Sequence, residues 1–345
     1  MSAIDFKALM KAERAPALSS RQCRRPSSAP PPGPRPSAPS LLCAHLSASL
    51  SEISSSTVPS TRCIILSGGV DTSAILAASA SAGVTYALAV TVSVGPTCPD
   101  LPFAVDAASR HGVAHKVVHV SASDLCGSYL PLCARLLGTY DGMTVRNSLV
   151  VCAAMRAAAE EGMKDAVVGD AADELFGGYS FCWGMEGDPG GWKDKRDEMC
   201  RGWTFATGDI ARHYGMKSHS PYEGKGFVEW ALESTGREDC VGERQIRLTL
   251  DGPTQLHMTG KIVLREAYDT PSSWRRKDPI EVGSGASCVA KDEFWKDALG
   301  DDEYEKERRR LDAQGYKITS REVSMEAEQG PHANTQTHAH TYSLA

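Results

Sequence analysis

Apolar and polar positions change period along this chain, and the changes mark its elements. From Arg62, "RCIILS" is a short unbroken apolar run that predicts a buried strand, and "TSAILAASASAG" predicts a helix stopped at Gly83. "TYALAVTVSV" is nearly continuous and rich in Val and Thr, the pattern of a central parallel strand covered on both faces. "PDLPFAVDAASRHG" predicts a helix ending at Gly112, "HKVVHVS" a third strand and "ASDLCGSYLPLCARLLG" another helix. "TVRNSLVVCAAMRAAAEEG" predicts a long Ala-rich helix and "DAVVG" a short fourth strand. Strands alternating with helices predict an α/β fold built on a doubly wound parallel sheet. After Gly178 Trp, Gly and charge dominate, and "DIARHYG", "GFVEWALES" and "GKIVLREAYD" predict a helical C-terminal portion.

Composition sets the ends. Residues 16–40 hold eight prolines among Ser and Arg, a mixture that buries too little apolar surface to offset the entropy of ordering. Residues 1–61 are therefore expected to be a disordered Pro/Ser/Arg-rich leader, 62–325 the folded domain and 326–345 a disordered tail. The acid-poor leader has the look of a linker or of an organellar transit peptide, so the expected compartment is the cytoplasm, or an organelle if the leader is a transit peptide. The eleven cysteines contain no CxxC pair and read as reduced thiols packed as small hydrophobes. A net charge of -6 gives no field that would draw nucleic acid or an anionic membrane, and no run of about 18 apolar residues exists.

The loop after the first strand carries the first chemistry. Ser67-Gly68-Gly69-Val70-Asp71-Thr72-Ser73 joins strand to helix, and ligands of open α/β sheets bind outside the carboxyl ends of strands. Glycines let backbone N–H groups face an anion, Ser67, Thr72 and Ser73 add hydroxyl donors, and a helix start favours negative charge. No G-K-[ST] follows, so this is not a Walker A loop. Asp71 would repel a bare phosphate, which calls for an intervening cation, with Mg²⁺ the natural choice. A second stretch, "VVGDAADELFGGY" (167–179), places Asp170, Asp173 and Glu174 just past another strand, where clustered carboxylates can bind Mg²⁺ or take a proton.

The first string resembles the PP-loop of the ATP pyrophosphatases, which cleave ATP between its α- and β-phosphates. The second resembles the G-D-G-A-D-E-L-F-G-G-Y signature of the asparagine synthetase synthase domain, with Ala171 where the family usually has Gly. If that position needs positive φ, Ala is strained there by roughly 1 kcal/mol or more. A third stretch, "TGKIVLREAYDTPSSWRRKDPIEVGSGA" (259–286), resembles the family's K-x-x-L-R-x-A block followed by R-x-K. Its ending looks most like the single-domain asparagine synthase-related proteins.

The resemblance implies an AMP-forming amide ligase that uses ATP and Mg²⁺, activates the aspartate side-chain carboxylate as an adenylate, and amidates it with ammonia. It implies that Leu66, Ser67, Gly68, Gly69, Asp71, Thr72, Ser73, Val90 and Gly169 hold the nucleotide and pyrophosphate. Asp71 and Asp173 would share Mg²⁺, and Asp170, Lys261, Arg265 and Lys277 would be catalytic. Lys261 and Arg265 are spaced one helical turn apart, so both are expected to face the site. Ser220-Pro221-Tyr222-Glu223 departs from the family's R-x-P-F-L-D, which opens a second reading: another carboxylate substrate. A third is a non-catalytic nucleotide-binding homologue. Full asparagine synthetases begin with a glutaminase domain whose nucleophile is an N-terminal Cys. Here Ser2 follows Met1, and no intrinsic glutaminase activity is expected. Free ammonia or a separate glutaminase partner would supply nitrogen.

Overall fold

The computed structural model describes residues 37–95, 98–138 and 142–289, and the architecture below is that of the compact unit beginning at Ala38. Its centre is a five-stranded sheet of β1 (Arg62–Ile65), β2 (Leu88–Val94), β3 (His115–Val120), β4 (Asp165–Val167) and β5 (Lys217–His219). The order is β3-β2-β1-β4-β5 and every pairing is parallel, with Ile64 opposite Ala89 on one side and Val167 on the other. The chain runs outward through β1, β2 and β3, then returns to lay β4 and β5 on the other side of β1. The direction of winding therefore reverses between β1 and β4, and the crevice at such a reversal is where doubly wound sheets bind ligands.

The expected strands are present and a fifth is added. β5 is the polar tripeptide Lys-Ser-His, with no apolar run to announce it. The C-terminal portion is largely helical, as expected, and adds an antiparallel hairpin of β6 (Gly242–Arg247) and β7 (Thr254–Thr259). Gly83 caps the helix Val70–Ala82 in the left-handed conformation (φ 69°), as its position implied. The helix expected over "ASDLCGSYLPLCARLLG" is broken by a π turn at Leu125–Tyr129. The Ala-rich helix Gly142–Glu160 packs on β2 and β3 and contributes Leu149, Cys152, Ala153, Ala154 and Met155 to the core beneath the sheet.

The leader expectation fails for one segment. Ala38–Ser56 is a 19-residue helix, so the fold begins before Arg62. Leu42, Leu46 and Leu50, four residues apart, are fully buried, and the helix packs on Val70–Ala82, Lys225–Ser234 and Ile262–Ala267. Fully buried Arg62 fastens its end. Its guanidinium donates to Ser54 O (3.2 Å), Thr57 O (3.0 Å), Thr57 Oγ1 (2.7 Å) and Thr85 O (2.9 Å), satisfying carbonyls that a helix C-terminus leaves open. Residues 1–36, the expected tail 326–345 and the rest of the chain beyond residue 289 lie outside the described residues. No helix among the described residues is long and apolar enough to cross a membrane.

Candidate active site

Four segments meet at the sheet's reversal point. The first is the loop after β1. Gly68 has φ 77°, and a β-carbon there would come within 2.5 Å of Asp100 O and 2.7 Å of Ala104 N, so the turn can pass the helix Leu101–Arg110 only as glycine. Ser67 Oγ accepts from Gly69 N (3.2 Å) and lies 3.1 Å from Thr72 Oγ1, which pins the loop to the helix start. Ser73 Oγ is buried without a hydrogen-bond partner. A buried hydroxyl left open in such a loop is costly in isolation and suits an anion that would accept from it.

The second segment is the loop after β4. Gly169 lies against the first loop, where a β-carbon would sit 3.0 Å from Asp71 Cβ and 3.2 Å from Thr72 Cγ2. Asp170 is buried, accepts from Thr207 Oγ1 at its side chain and from Ser220 Oγ (2.6 Å) at its backbone oxygen. Burial chiefly pushes its carboxyl from the ordinary 3.8 up to about 7. Ala171 has φ 76°, the left-handed conformation that the family's glycine would take without strain. Glu174 accepts from Tyr179 Oη (2.5 Å), and burial, aided by neighbouring Asp173, raises it to about 7.

The third and fourth segments bring cations. Lys261 follows β7 and is itself in the left-handed region (φ 60°), just ahead of the helix Ile262–Ala267. Its Nζ lies 2.6 Å from Oδ1 and Oδ2 of Asp71 and 2.8 Å from Asp173 Oδ1. Lys277 Nζ donates to Asp173 Oδ2 (2.9 Å). Burial opposes ionisation of Asp173, but Lys261 and Lys277 together hold its carboxyl below the ordinary range. Burial likewise opposes the Lys277 charge, and Asp173 and then Asp71 raise its pKa regardless.

Lys261 and Arg265 stand one helical turn apart, with Arg265 N donating to Lys261 O (2.9 Å), and both border the site, but in different roles. Lys261 precedes the helix, and the buried guanidinium of Arg265 donates to the carbonyls of Gly260 (2.8 Å), Ser273 and Arg275 (2.9 Å). Arg265 lines the cleft, but these three carbonyls make it a brace between its helix and the segment that carries Lys277.

Several site residues were not singled out in the sequence. Arg275 is buried, pairs with Asp100 (2.5 Å), donates to Gly68 O (3.3 Å) and lies 4.7 Å from the centre of the Phe103 ring. Tyr222 Oη donates to Asp71 O (2.8 Å), so the segment that departs from the family pattern still braces the first loop. Thr207 and Ser220 hold Asp170. Arg275 lies in the R-x-K string and Ser220 and Tyr222 in the segment that departs from the family pattern, whereas Thr207 is an ordinary residue type brought in by tertiary structure.

Two adjoining spaces open here. A cleft is lined by Ser67, Gly69, Asp71, Arg265, Arg275 and Lys277. A cavity beside it is lined mostly by apolar groups, among them Leu66, Val90, Val150, Val151 and Ala154, with Asp170 and Thr207 at one side. Ser67, Asp100 and Ile280 belong to both. The polar cleft suits a polyphosphate and the apolar cavity a nucleoside. The site also fits Mg²⁺: Asp71 and Asp173 are hard oxygen donors converging beside a phosphate-type loop, and they would hold the ion.

Residues 45–187 match the family model described as Asparagine synthase. Asparagine synthetase B [glutamine-hydrolyzing] of Escherichia coli (strain K12) is 25% identical over 205 residues, covering 56% of this chain and 34% of that protein. Asparagine synthetase [glutamine-hydrolyzing] 1 of Arabidopsis thaliana is 24% identical over 261 residues, covering 69% of this chain and 41% of that protein. The chain thus spans well under half the length of these relatives. Among solved structures, NMN synthetase from Francisella tularensis aligns with a TM-score of 0.34 and 15% identity, over 56% of this chain and 68% of that one. NAD⁺ synthetase from Burkholderia pseudomallei aligns with a TM-score of 0.26 and 12% identity, over 80% of this chain and 98% of that one. The matched segment holds both loops of the site, with Asp71, Asp170 and Asp173, and over those residues the chain is similar to asparagine synthase.

Proposed function

We propose that this domain is an ATP-dependent, AMP-forming amide ligase that activates the side-chain carboxylate of aspartate and amidates it with ammonia. The observation that carries the reading is the convergence of Asp71, Asp173, Lys261 and Lys277 beside an apolar cavity at the reversal point of the sheet. The carboxylate attacks the α-phosphorus, pyrophosphate departs, and ammonia then displaces AMP from the acyl carbon. The loop from Ser67 to Ser73 grips the departing pyrophosphate through N–H and hydroxyl donors. Leu66 and Val90 seat the nucleoside, with Gly169 allowing the close approach. Lys277 neutralises charge that develops on the leaving group. Mg²⁺ held by Asp71 and Asp173 would supply further neutralisation of the triphosphate. Asp170, titrating near 7 and lining the cavity, is suited to accept a proton as ammonia attacks. Ammonia comes from solution or from a separate glutaminase.

A second reading keeps the chemistry and changes the acid. Ser220-Pro221-Tyr222-Glu223 departs from the R-x-P-F-L-D pattern, and Ser220 holds the backbone of Asp170, so the departure lies beside the site and favours another carboxylate. Purified protein incubated with ATP, Mg²⁺, ammonium and a panel of carboxylates, aspartate included, tests both. Pyrophosphate and AMP with aspartate support the first reading; turnover with another acid alone supports the second. ADP and phosphate as products, or no pyrophosphate with any acid, overturn both.

A further inference from the structure

Two carboxylates brought to one buried point repel each other, and in this site the charge between them is a side chain. Lys261 is 1% exposed, and its ammonium lies at hydrogen-bond distance from both Asp71 and Asp173. Lys277 completes the set, so two Asp and two Lys sum to zero charge. The placement of Lys261 is built into the backbone. Its N–H donates to Phe176 O (2.9 Å), and its φ of 60° is one that a β-carbon disfavours. The preceding Gly260 crosses the acidic loop so closely that a β-carbon would stand 2.0 Å from Gly177 O. Among the described residues no group of three or more His, Cys, Asp or Glu gathers as a ready-made metal cage.

We infer that Lys261 is the resident counter-cation of the metal-binding carboxylates: it occupies the point that Mg²⁺ would bridge, so the divalent ion enters with the triphosphate rather than before it. The inference rests on the reading that Asp71 and Asp173 hold Mg²⁺ beside ATP. A Mg²⁺ ion needs oxygens at about 2.0–2.1 Å and sheds its water reluctantly. In the nucleotide-free protein it would have to displace an ammonium already paired with both carboxylates, against the repulsion of two nearby cations. A triphosphate reverses that balance. Its oxygens complete the coordination of the ion and accept hydrogen bonds from the displaced ammonium. Lys261 is then a positioning residue toward the metal: it keeps Asp71 and Asp173 together until the ligand arrives, and then releases them to the ion.

Mn²⁺ titration of the full chain, followed by electron paramagnetic resonance of the free ion with and without a non-cleavable α,β-methylene ATP, tests this. The wild type should take up Mn²⁺ with the nucleotide analogue and scarcely without it. Lys261→Met should raise nucleotide-free Mn²⁺ affinity by about tenfold or more, since one unit charge is removed at contact distance. Its melting temperature should rise with Mn²⁺ alone, where that of the wild type does not. Lys277→Met, which removes the pairing with Asp173 only, should raise affinity by a smaller factor. If Lys261→Met does not fold unaided, recovery of folded protein on refolding with Mn²⁺ supports the inference, and failure of both that recovery and the Lys277→Met effect overturns it. A wild type that binds Mn²⁺ equally well without nucleotide, and loses it in Asp71→Asn, overturns the inference and leaves the proposed function standing. No Mn²⁺ binding in any protein even with nucleotide removes both.

Discussion

Replacing Asp170 with Asn should stabilise the protein, and by an amount that depends on pH in a defined sense. The carboxyl is buried among Thr207, Ser220 and apolar cavity walls, and burial raises it from 3.8 to about 7. Below about pH 4 both native and unfolded chains carry the proton. Between about pH 4 and 7 the native state keeps a proton that the unfolded state has released, so the unfolded state binds fewer protons and stability falls as pH rises. Above 7 the native carboxylate is ionised and the cost is constant. Each pH unit between the two values is worth about 1.4 kcal/mol, which sets a ceiling near 4 kcal/mol. Asn keeps an acceptor for the Thr207 hydroxyl but leaves an N–H₂ to satisfy, which lowers the net gain to about 2–3 kcal/mol. Thermal denaturation at pH 5 and pH 8.5 reads this as a midpoint increase of roughly 5–10 °C at the higher pH and much less at the lower. Glu174, raised in the same sense, is present in both proteins and cancels. An Asn variant shifted equally at both pH values, or destabilised at pH 8.5, would show that the native carboxylate is not held at a cost. The same variant should lose amide synthesis while retaining ATP binding, because the carboxylate that hinders folding is the one assigned to the proton.

Three further substitutions follow. Ala171→Gly removes a β-carbon held at φ 76°; relief of about 1–2 kcal/mol, less about 0.5–1 kcal/mol for the freer unfolded chain, should raise the unfolding free energy read by urea denaturation by up to about 1 kcal/mol. Gly178→Ala would place a β-carbon 1.7 Å from Asp173 Oδ1 and 2.6 Å from Lys261 Cε, so pyrophosphate release should fall at least about a hundredfold, read by a coupled pyrophosphate assay. Leu46→Ala empties a fully buried position in the helix Ala38–Ser56 and should cost about 2–5 kcal/mol in urea unfolding, whereas a loss under about 0.5 kcal/mol would mean that this helix is not part of the cooperative unit.

The central strands β1 and β2 were legible because burial on both faces leaves a nearly continuous apolar run, as in "LAVTVSV" of β2, whereas edge strand β3 was read from its valines alone. β5 escaped because an edge tripeptide of Lys, Ser and His is held by its ladder to β4, not by apolar burial. The hairpin escaped because "GERQIR" and "TQLHMT" fully bury only Ile246 and Thr259, too little to set a period. The helix Ala38–Ser56 did carry a signal, Leu at 42, 46 and 50, but the proline-rich composition around residues 16–40 outweighed it. Propensity at one end of a segment does not exclude apolar burial at the other.

The site divides along the same line, between what a backbone needs and what side chains find. Gly68 and Gly178 sit where another segment passes too close for a β-carbon, Gly169 where it passes at the limit, and all three fall inside the two loop strings, where they can be read. The wiring cannot. Asp100 meets Arg275, Asp71 meets Lys261 and Asp170 meets Thr207 across long stretches of chain, through contacts that leave no local period. Positive φ shows where the two kinds of information join. Among the described residues only Ala171 and Lys261 adopt it without being glycine, and both border the carboxylates of the site. Backbone strain persists only where surrounding structure over-determines it. At Lys261 the over-determination is visible, with the backbone tied to Phe176, Gly260 pressed on Gly177, and the ammonium clasped by two carboxylates. The conformational cost at that residue is therefore tied to the ion pair, and relief of one should accompany relief of the other when ligand takes the carboxylates.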